Sequence, residues 1–270
     1  MAKGSASKQN RGPWRHALVT GASIGIGAAF ATALARRQCH LVLVARTRER
    51  LESLAKQLRG EHGVEVEVLA ADLTEASELR VVEELVGNAD LDLLVNNAGF
   101  GTAGPFATLD LDKEEQQIRL NVIALTRLTR AALPRMIARH RGGIINVSSM
   151  SAFQPDAYTA TYGATKAFVN SFTEALHEEV RGSGVTVQAL CPGFTRTEFQ
   201  KRAGIDVSEL PGFVWMEPAA VVEESLAALQ HGHLICVPGL TNRAVVALTG
   251  LFPRSAARRV VARMARRYVE

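Results

Sequence analysis

The 270-residue sequence contains no uninterrupted apolar run of the length, about eighteen residues, that a membrane-spanning helix requires. Its opening, MAKGSASKQNRGPWRH, lacks the apolar stretch of a secretory leader, and residues 1–14 read as a loose polar tail. Cysteine is scarce. Cys39, Cys191 and Cys236 are scattered, with neither disulfide pairing nor metal-ligand spacing. That pattern gives no metal site and fits reduced thiols in a cytoplasmic protein. No Gly/Ser/Pro-rich linker divides the chain, and no fixed-period repeat runs through it. The net charge of +4 is modest and its arginines accompany no recognition motif, so nucleic acid is not an expected partner.

What is present is ordinary for a soluble globular protein: 47% apolar and 21% charged residues. Apolar, β-branched runs at His16–Thr20, His40–Ala45, Val64–Ala70, Leu91–Val95, Gly143–Ser148, Val185–Leu190 and Leu234–Val237 read as strands. Between them, Gly25–Arg37, Thr47–His62, Thr74–Asn88, Asp110–Arg141, Ala160–Arg181 and Glu217–His231 carry helical spacing. Strand–helix alternation implies right-handed crossovers and a buried parallel sheet. The expected fold is α/β: one Rossmann-type, doubly wound parallel sheet of about seven strands with helices on both faces. Ligands of such a sheet bind beyond the carboxyl ends of its strands, so chemistry is expected just after each one.

After the first strand comes Thr20-Gly21-Ala22-Ser23-Ile24-Gly25-Ile26-Gly27. Glycines permit a tight turn, and the amides opening the following helix favour a phosphate. After the second strand, Arg46 stands where an acidic residue would hold a ribose 2′-hydroxyl. A guanidinium there binds a 2′-phosphate instead, which favours NADP over NAD. Asp72 and Leu73 follow the third strand; the Asp72 carboxylate suits an adenine amine, an N-cap for a helix beginning near Thr74, or both. Asn97, Ala98 and Gly99 follow the fourth strand as a plain turn or as a wall of the nucleotide site. Farther on, Tyr162 and Lys166 lie four residues apart on one helical face. A cation beside a phenol favours the phenolate and lowers a tyrosine pKa from its usual value of about 10, giving a usable proton donor and acceptor.

TGASIGIG at 20–27, NNAG at 96–99, Asn121, Ser149, the Tyr162–Lys166 segment and Pro192-Gly193, in this order, resemble the short-chain dehydrogenase/reductase family over roughly residues 15–240. The resemblance implies a catalytic set of Asn121, Ser149, Tyr162 and Lys166. Tyr162 would be the general acid/base, and Lys166 would lower its pKa and hold the nicotinamide ribose. Ser149, thirteen residues before Tyr162, would polarise the substrate carbonyl, and Asn121 would hold a water relaying protons to Lys166. It likewise assigns Pro192, Gly193, Thr195 and Thr197 to the nicotinamide and pyrophosphate, with Thr197 the better match. The expected reaction is NADP(H)-dependent interconversion of a carbonyl and an alcohol. The alternative is a catalytically silent cofactor-binding regulator or scaffold, which the intact set argues against. A homodimer or homotetramer is implied through the helices Asp110–Arg141 and Ala160–Arg181.

Residues 194–218, the family's lid, carry Phe199, Phe213, Val214, Trp215 and Met216. Two readings stand: a pocket for a hydrophobic substrate, or a lid packed on the body. Residues 241–270 form a further segment, ending in RSAARRVVARMARRYVE. As a helix it places Ala257, Val260, Val261, Met264 and Tyr268 on one stripe. It is expected to pack on its own body or a sister subunit; peripheral contact with an anionic membrane is the lesser reading.

Overall fold

The structure, a computed structural model, describes residues 12–207 and 210–251, and excludes the side chains of residues 249–251. One sheet of seven strands runs through the protein: β1 (His16–Thr20), β2 (His40–Ala45), β3 (Val66–Ala70), β4 (Leu93–Asn96), β5 (Gly142–Val147), β6 (Val185–Leu190) and β7 (Ile235–Cys236). Every pairing is parallel and the order is β3-β2-β1-β4-β5-β6-β7. The order therefore reverses between β1 and β4, where Val19 lies opposite Val95, and a crevice opens at their carboxyl ends.

The helices α1 (Gly25–Arg36), α2 (Arg48–His62), α3 (Ala76–Asn88), α4 (Leu111–Ile118), α5 (Leu125–Ala138), α6 (Ala160–Glu179), α7 (Phe199–Ala203), α8 (Pro218–Gln230) and α9 (Leu240–Leu251) surround this sheet. Strands buried on both faces cannot alternate polar and apolar residues, and Leu18, Val19, Leu93, Leu94, Ile144 and Ile145 are all fully buried. Phe30, Leu34, Leu51, Leu58 and Leu226 from α1, α2 and α8 join one core. Leu79, Val82, Leu128, Met136 and Leu176 from α3, α5 and α6 build the other.

Local sequence explains several boundaries. Asp110 caps α4 by accepting from the amides of Asp112 (3.0 Å) and Lys113 (3.4 Å). Gly63 closes α2 in the left-handed conformation, with φ 66°. Pro218 opens α8, where its missing N–H has no intrahelical acceptor to lose.

The structure also corrects the sequence reading. The tail ends before residue 14: Trp14 is buried in the first core, and the Gly12 amide donates to Arg37 O. The expected helix Asp110–Arg141 is three pieces, because a π-helical turn, Arg119–Ala124, separates α4 from α5. The lid helix α7 is only five residues long, too short to carry a periodic signal. The remainder of the proposed C-terminal helix lies outside the described residues. Among the described residues, no helix is long and apolar enough to cross a membrane.

Candidate active site

The glycine turn is held by contacts that leave no room for side chains. Gly21 and Gly25 have φ of 63° and 57°, the left-handed region that glycine enters without strain. A Cβ on Gly21 would come within 2.8 Å of Asn97 Nδ2, and one on Gly27 would collide with Gly21 O. Asn97 fastens this turn to β4: its Nδ2 donates to Thr20 O (2.9 Å) and Gly21 O (3.2 Å). Thr20 Oγ1 accepts from the Asn97 and Ala98 amides, both at 3.0 Å. Asn97 and Ala98 are therefore ties between two strand ends. Beyond the turn, α1 begins at Gly25 without a side-chain cap or an acidic residue in its first turn. Its opening amides, beside Ser23, Ile24 and Ile26, fit a pyrophosphate. Thr197 borders the same place, since a Cβ on Gly25 would lie 3.0 Å from its methyl carbon. A groove lined by Ile24, Gly25, Arg196, Thr197, Trp215 and Pro218 opens there.

The adenosine side is less committed. Arg46 is 70% exposed with its Nη1 3.7 Å from Asp72 Oδ2, so the two residues read from the ends of β2 and β3 face one another. Asp72 Oδ1 accepts from the Thr74 amide (2.9 Å) and hydroxyl (2.7 Å). It closes a turn rather than capping a helix, because α3 begins only at Ala76. Leu73 is a core residue, leaving only its backbone for a nucleotide. Thr195 is buried and its hydroxyl donates to Gly193 O at 3.1 Å, which makes it part of the Pro192-Gly193 turn.

Tyr162 and Lys166 project from the first half of α6 toward the end of β5. Ser149 follows that strand. Its hydroxyl accepts from the Ser151 amide at 3.1 Å and lies close enough to the Tyr162 phenol to lower its pKa. The neighbouring Ser148 is buried and donates to Lys166 O at 3.1 Å, which ties the α6 backbone to the strand. Lys166 Nζ donates to Val147 O at 2.7 Å and stands 5.7 Å from the centre of the Tyr162 ring. Asn121 sits in the π turn, a distortion that tends to mark functional sites. Its Nδ2 donates to Phe100 O (2.9 Å) and Thr165 Oγ1 (3.1 Å), and its Oδ1 accepts from the Phe100 amide (3.2 Å). Gly99 keeps this centre open: a Cβ there would lie 2.9 Å from Asn121 Oδ1 and 3.6 Å from Lys166 Nζ.

The electrostatics reverse one expectation. Burial pushes the Tyr162 phenol up to about 12; the Ser149 hydrogen bond works against that rise and the neighbouring Cys191 adds to it. Burial likewise brings Lys166 down to about 8, opposed by Cys191. Desolvation thus outweighs any lowering by Lys166, and the Tyr162 phenol lies above its usual value instead of below it. Near neutral pH the site holds a neutral phenol, a proton donor, beside a mostly charged lysine.

Three features had no strong signal in the sequence. Gly101 lies flat on the phenol, since a Cβ there would meet Tyr162 Cδ2 at 2.9 Å and Phe199 Cζ at 3.1 Å. Phe199, on the lid, tilts against Tyr162 with ring centres 5.4 Å apart. Tyr158 has φ 69°, strained for an aromatic residue, and its carbonyl accepts from the Gly104 amide at 2.8 Å. Farther along the lid, Phe194 and Trp215 stand 5.6 Å apart. A separate depression lined by His16, His40, Arg59 and Glu65 lies at the opposite, amino ends of the strands.

Comparison with known proteins agrees with this fold. The short chain dehydrogenase family profile matches residues 15–207. A short-chain dehydrogenase from Sphingobium yanoikuyae, solved in complex with NADPH, is 40% identical with a TM-score of 0.80; the match covers 88% of this chain and 96% of that one. The bulky-bulky ketone specific alcohol dehydrogenase from Comamonas testosteroni is 33% identical with a TM-score of 0.76, over 88% and 95% of the two chains. Among curated relatives, the very-long-chain 3-oxoacyl-CoA reductase of Anas platyrhynchos is 36% identical over 196 residues, 70% of this chain but 62% of that protein. The chain thus spans under two thirds of that relative's length. With a profile match over most of its length and a sheet, glycine turn and Ser–Tyr–Lys cluster arranged as described, the chain belongs to the short chain dehydrogenase family of NAD(P)-dependent oxidoreductases.

Proposed function

We propose that the protein reduces the carbonyl of an apolar ketone or aldehyde with NADPH, and oxidises the corresponding alcohol in reverse. The observation that carries this reading is the gathering of Ser149, Tyr162 and Lys166 at the carboxyl edge of the sheet, with Lys166 Nζ held on Val147 O at 2.7 Å and 5.7 Å from the centre of the Tyr162 ring. Bound NADPH supplies the hydride. Ser149 and Tyr162 hold the substrate oxygen between two hydroxyls, and Tyr162 Oη gives its proton to that oxygen as negative charge develops there. Lys166, fixed by Val147 O, keeps a positive charge next to the phenol and stabilises the phenolate left behind. Asn121, clamped to Phe100 and Thr165, fixes the wall behind Lys166 and holds a water that returns protons to it.

Arg46 supports NADPH over NADH: it is largely exposed, faces Asp72 across the ends of β2 and β3, and is free to turn to a 2′-phosphate. The NADPH complex of the Sphingobium relative agrees. The aromatic lid residues Phe194, Phe199 and Trp215 favour an apolar substrate. So do the names of relatives that act on bulky ketones and very-long-chain 3-oxoacyl-CoA. A screen of purified protein for NADPH and NADH oxidation against short, aromatic and long-chain carbonyls tests the reading. Faster turnover of the bulky apolar carbonyls with NADPH is expected. No oxidation of either nucleotide with any of them, or a clear preference for short polar carbonyls, would overturn it.

A further inference from the structure

Helix α9 is built the wrong way round for a surface helix. Its buried side is polar at Asn242, whose Nδ2 donates to Pro238 O at 2.8 Å and to Met216 Sδ at 3.4 Å. Its outward side is mostly apolar, with Thr241 and Arg243 its exposed polar residues. Leu240, Ala244 and Leu248, spaced i, i+4 and i+8, form one stripe, with Val245 and Ala247 beside it. Leu240 is 79% exposed and Leu248 54%. A surface helix ordinarily turns its polar face to water, and a contiguous apolar face marks an interaction surface. Arg243, the one charged residue among the helix's described side chains, is spent on Glu224 at 2.6 Å.

Two observations identify the occupant. The sequence that follows, residues 252–270, carries Arg254, Arg258, Arg259, Arg263, Arg266 and Arg267 against the single acidic Glu270. An apolar helix face continued by a strongly cationic segment is complementary to an anionic lipid surface: acyl chains for the face, headgroups for the arginines. The second observation is position. Asn242 abuts the Pro192-Gly193 turn, since a Cβ on Gly193 would come within 2.7 Å of its Oδ1. It also touches Met216 at the end of the lid, and Phe213, three residues earlier, is 74% exposed. The outward face of α9 therefore belongs to the same end of the molecule as the substrate lid. The geometry points to α9 as a docking surface for an anionic bilayer, seated so that the lid faces the membrane and an apolar carbonyl compound passes from lipid to the Tyr162 site. The delivery role rests on the apolar-substrate reading; the docking does not.

The test uses the full chain and no substrate. Co-sedimentation is measured with phosphatidylcholine vesicles and with phosphatidylcholine–phosphatidylglycerol vesicles, at low and high salt, for the wild type and for the Leu240→Asp/Leu248→Asp variant. The expected result is binding to the anionic vesicles that high salt weakens and that the double substitution lowers by roughly tenfold or more. NADPH oxidation and thermal unfolding of the variant should match the wild type, because both leucines are exposed and neither is among the residues that build the site. Absence of binding to anionic vesicles, or equal binding by the variant, would overturn the proposal. So would a dimer in lipid-free solution that the double substitution dissociates, since a second copy would then cover the face. An inactive protein that still binds vesicles would count against the reductase reading alone.

Discussion

Lys166 is a cation buried at 5% exposure whose pKa burial brings from 10.5 to about 8. Since the lowered group is a base, the folded protein holds fewer protons than the unfolded chain between those two values. Stability therefore rises with pH across that window, and the destabilising effect of the charge is fully present below about pH 8. The interval from 10.5 to about 8 is worth about 3 kcal/mol. Replacing Lys166 with Met removes this dependence. It also leaves Val147 O without its 2.7 Å donor, an unpaired carbonyl costing about 1–3 kcal/mol. At pH 7 the two effects nearly cancel, so Lys166→Met should match the wild type or exceed it slightly. As pH rises toward 10.5 the wild type should gain on the variant by about 1.4 kcal/mol per pH unit. Urea denaturation of both proteins in steps from pH 7 to pH 10.5 reads the difference directly. Parallel stability curves, with a constant offset between the two proteins, would refute the claim that burial sets the charge of Lys166.

Two further outcomes follow from the same geometry. Arg46→Asp should lower the preference for NADPH over NADH by roughly 10–100-fold in kcat/KM, the loss of one or two charge-assisted contacts to a phosphate. An unchanged ratio would remove Arg46 from the nucleotide site. Gly99→Ala should destabilise the fold by about 1–3 kcal/mol and depress turnover, because its methyl would press on Asn121 Oδ1 at 2.9 Å. A variant as stable and as active as the wild type would show that the wall behind Lys166 can yield.

The fold was legible because a doubly buried parallel sheet writes itself as short apolar runs. β1, β2 and β6 lie where His16–Thr20, His40–Ala45 and Val185–Leu190 were read, and the order of elements follows. The π turn was not legible, since Arg119–Ala124 has ordinary helical composition and only the packing around Asn121 reveals the extra residue. Spacing brought Tyr162 and Lys166 to one helix face but carried no information on how much water reaches them. That is why a lowered phenol was expected where burial raises it. Trp14 was hidden for a similar reason: a tryptophan among basic and polar neighbours looks like tail until the first core closes over it. The lid residues could not be divided between pocket and packing by composition, and Phe199 on the Tyr162 ring is a contact between residues distant in sequence.

The central claim is that the Tyr162 phenol gives the proton that accompanies reduction. The direct measurement is the steady-state kcat/KM of Tyr162→Phe for NADPH-dependent reduction of the carbonyl compound that the wild type turns over fastest, with nucleotide binding followed in parallel by fluorescence titration. The substitution removes one hydroxyl and leaves the ring against Gly101 and Phe199, so the fold and NADPH binding should persist. The account predicts a fall of about 10²–10⁴-fold in kcat/KM with binding retained. Turnover equal to the wild type would contradict it.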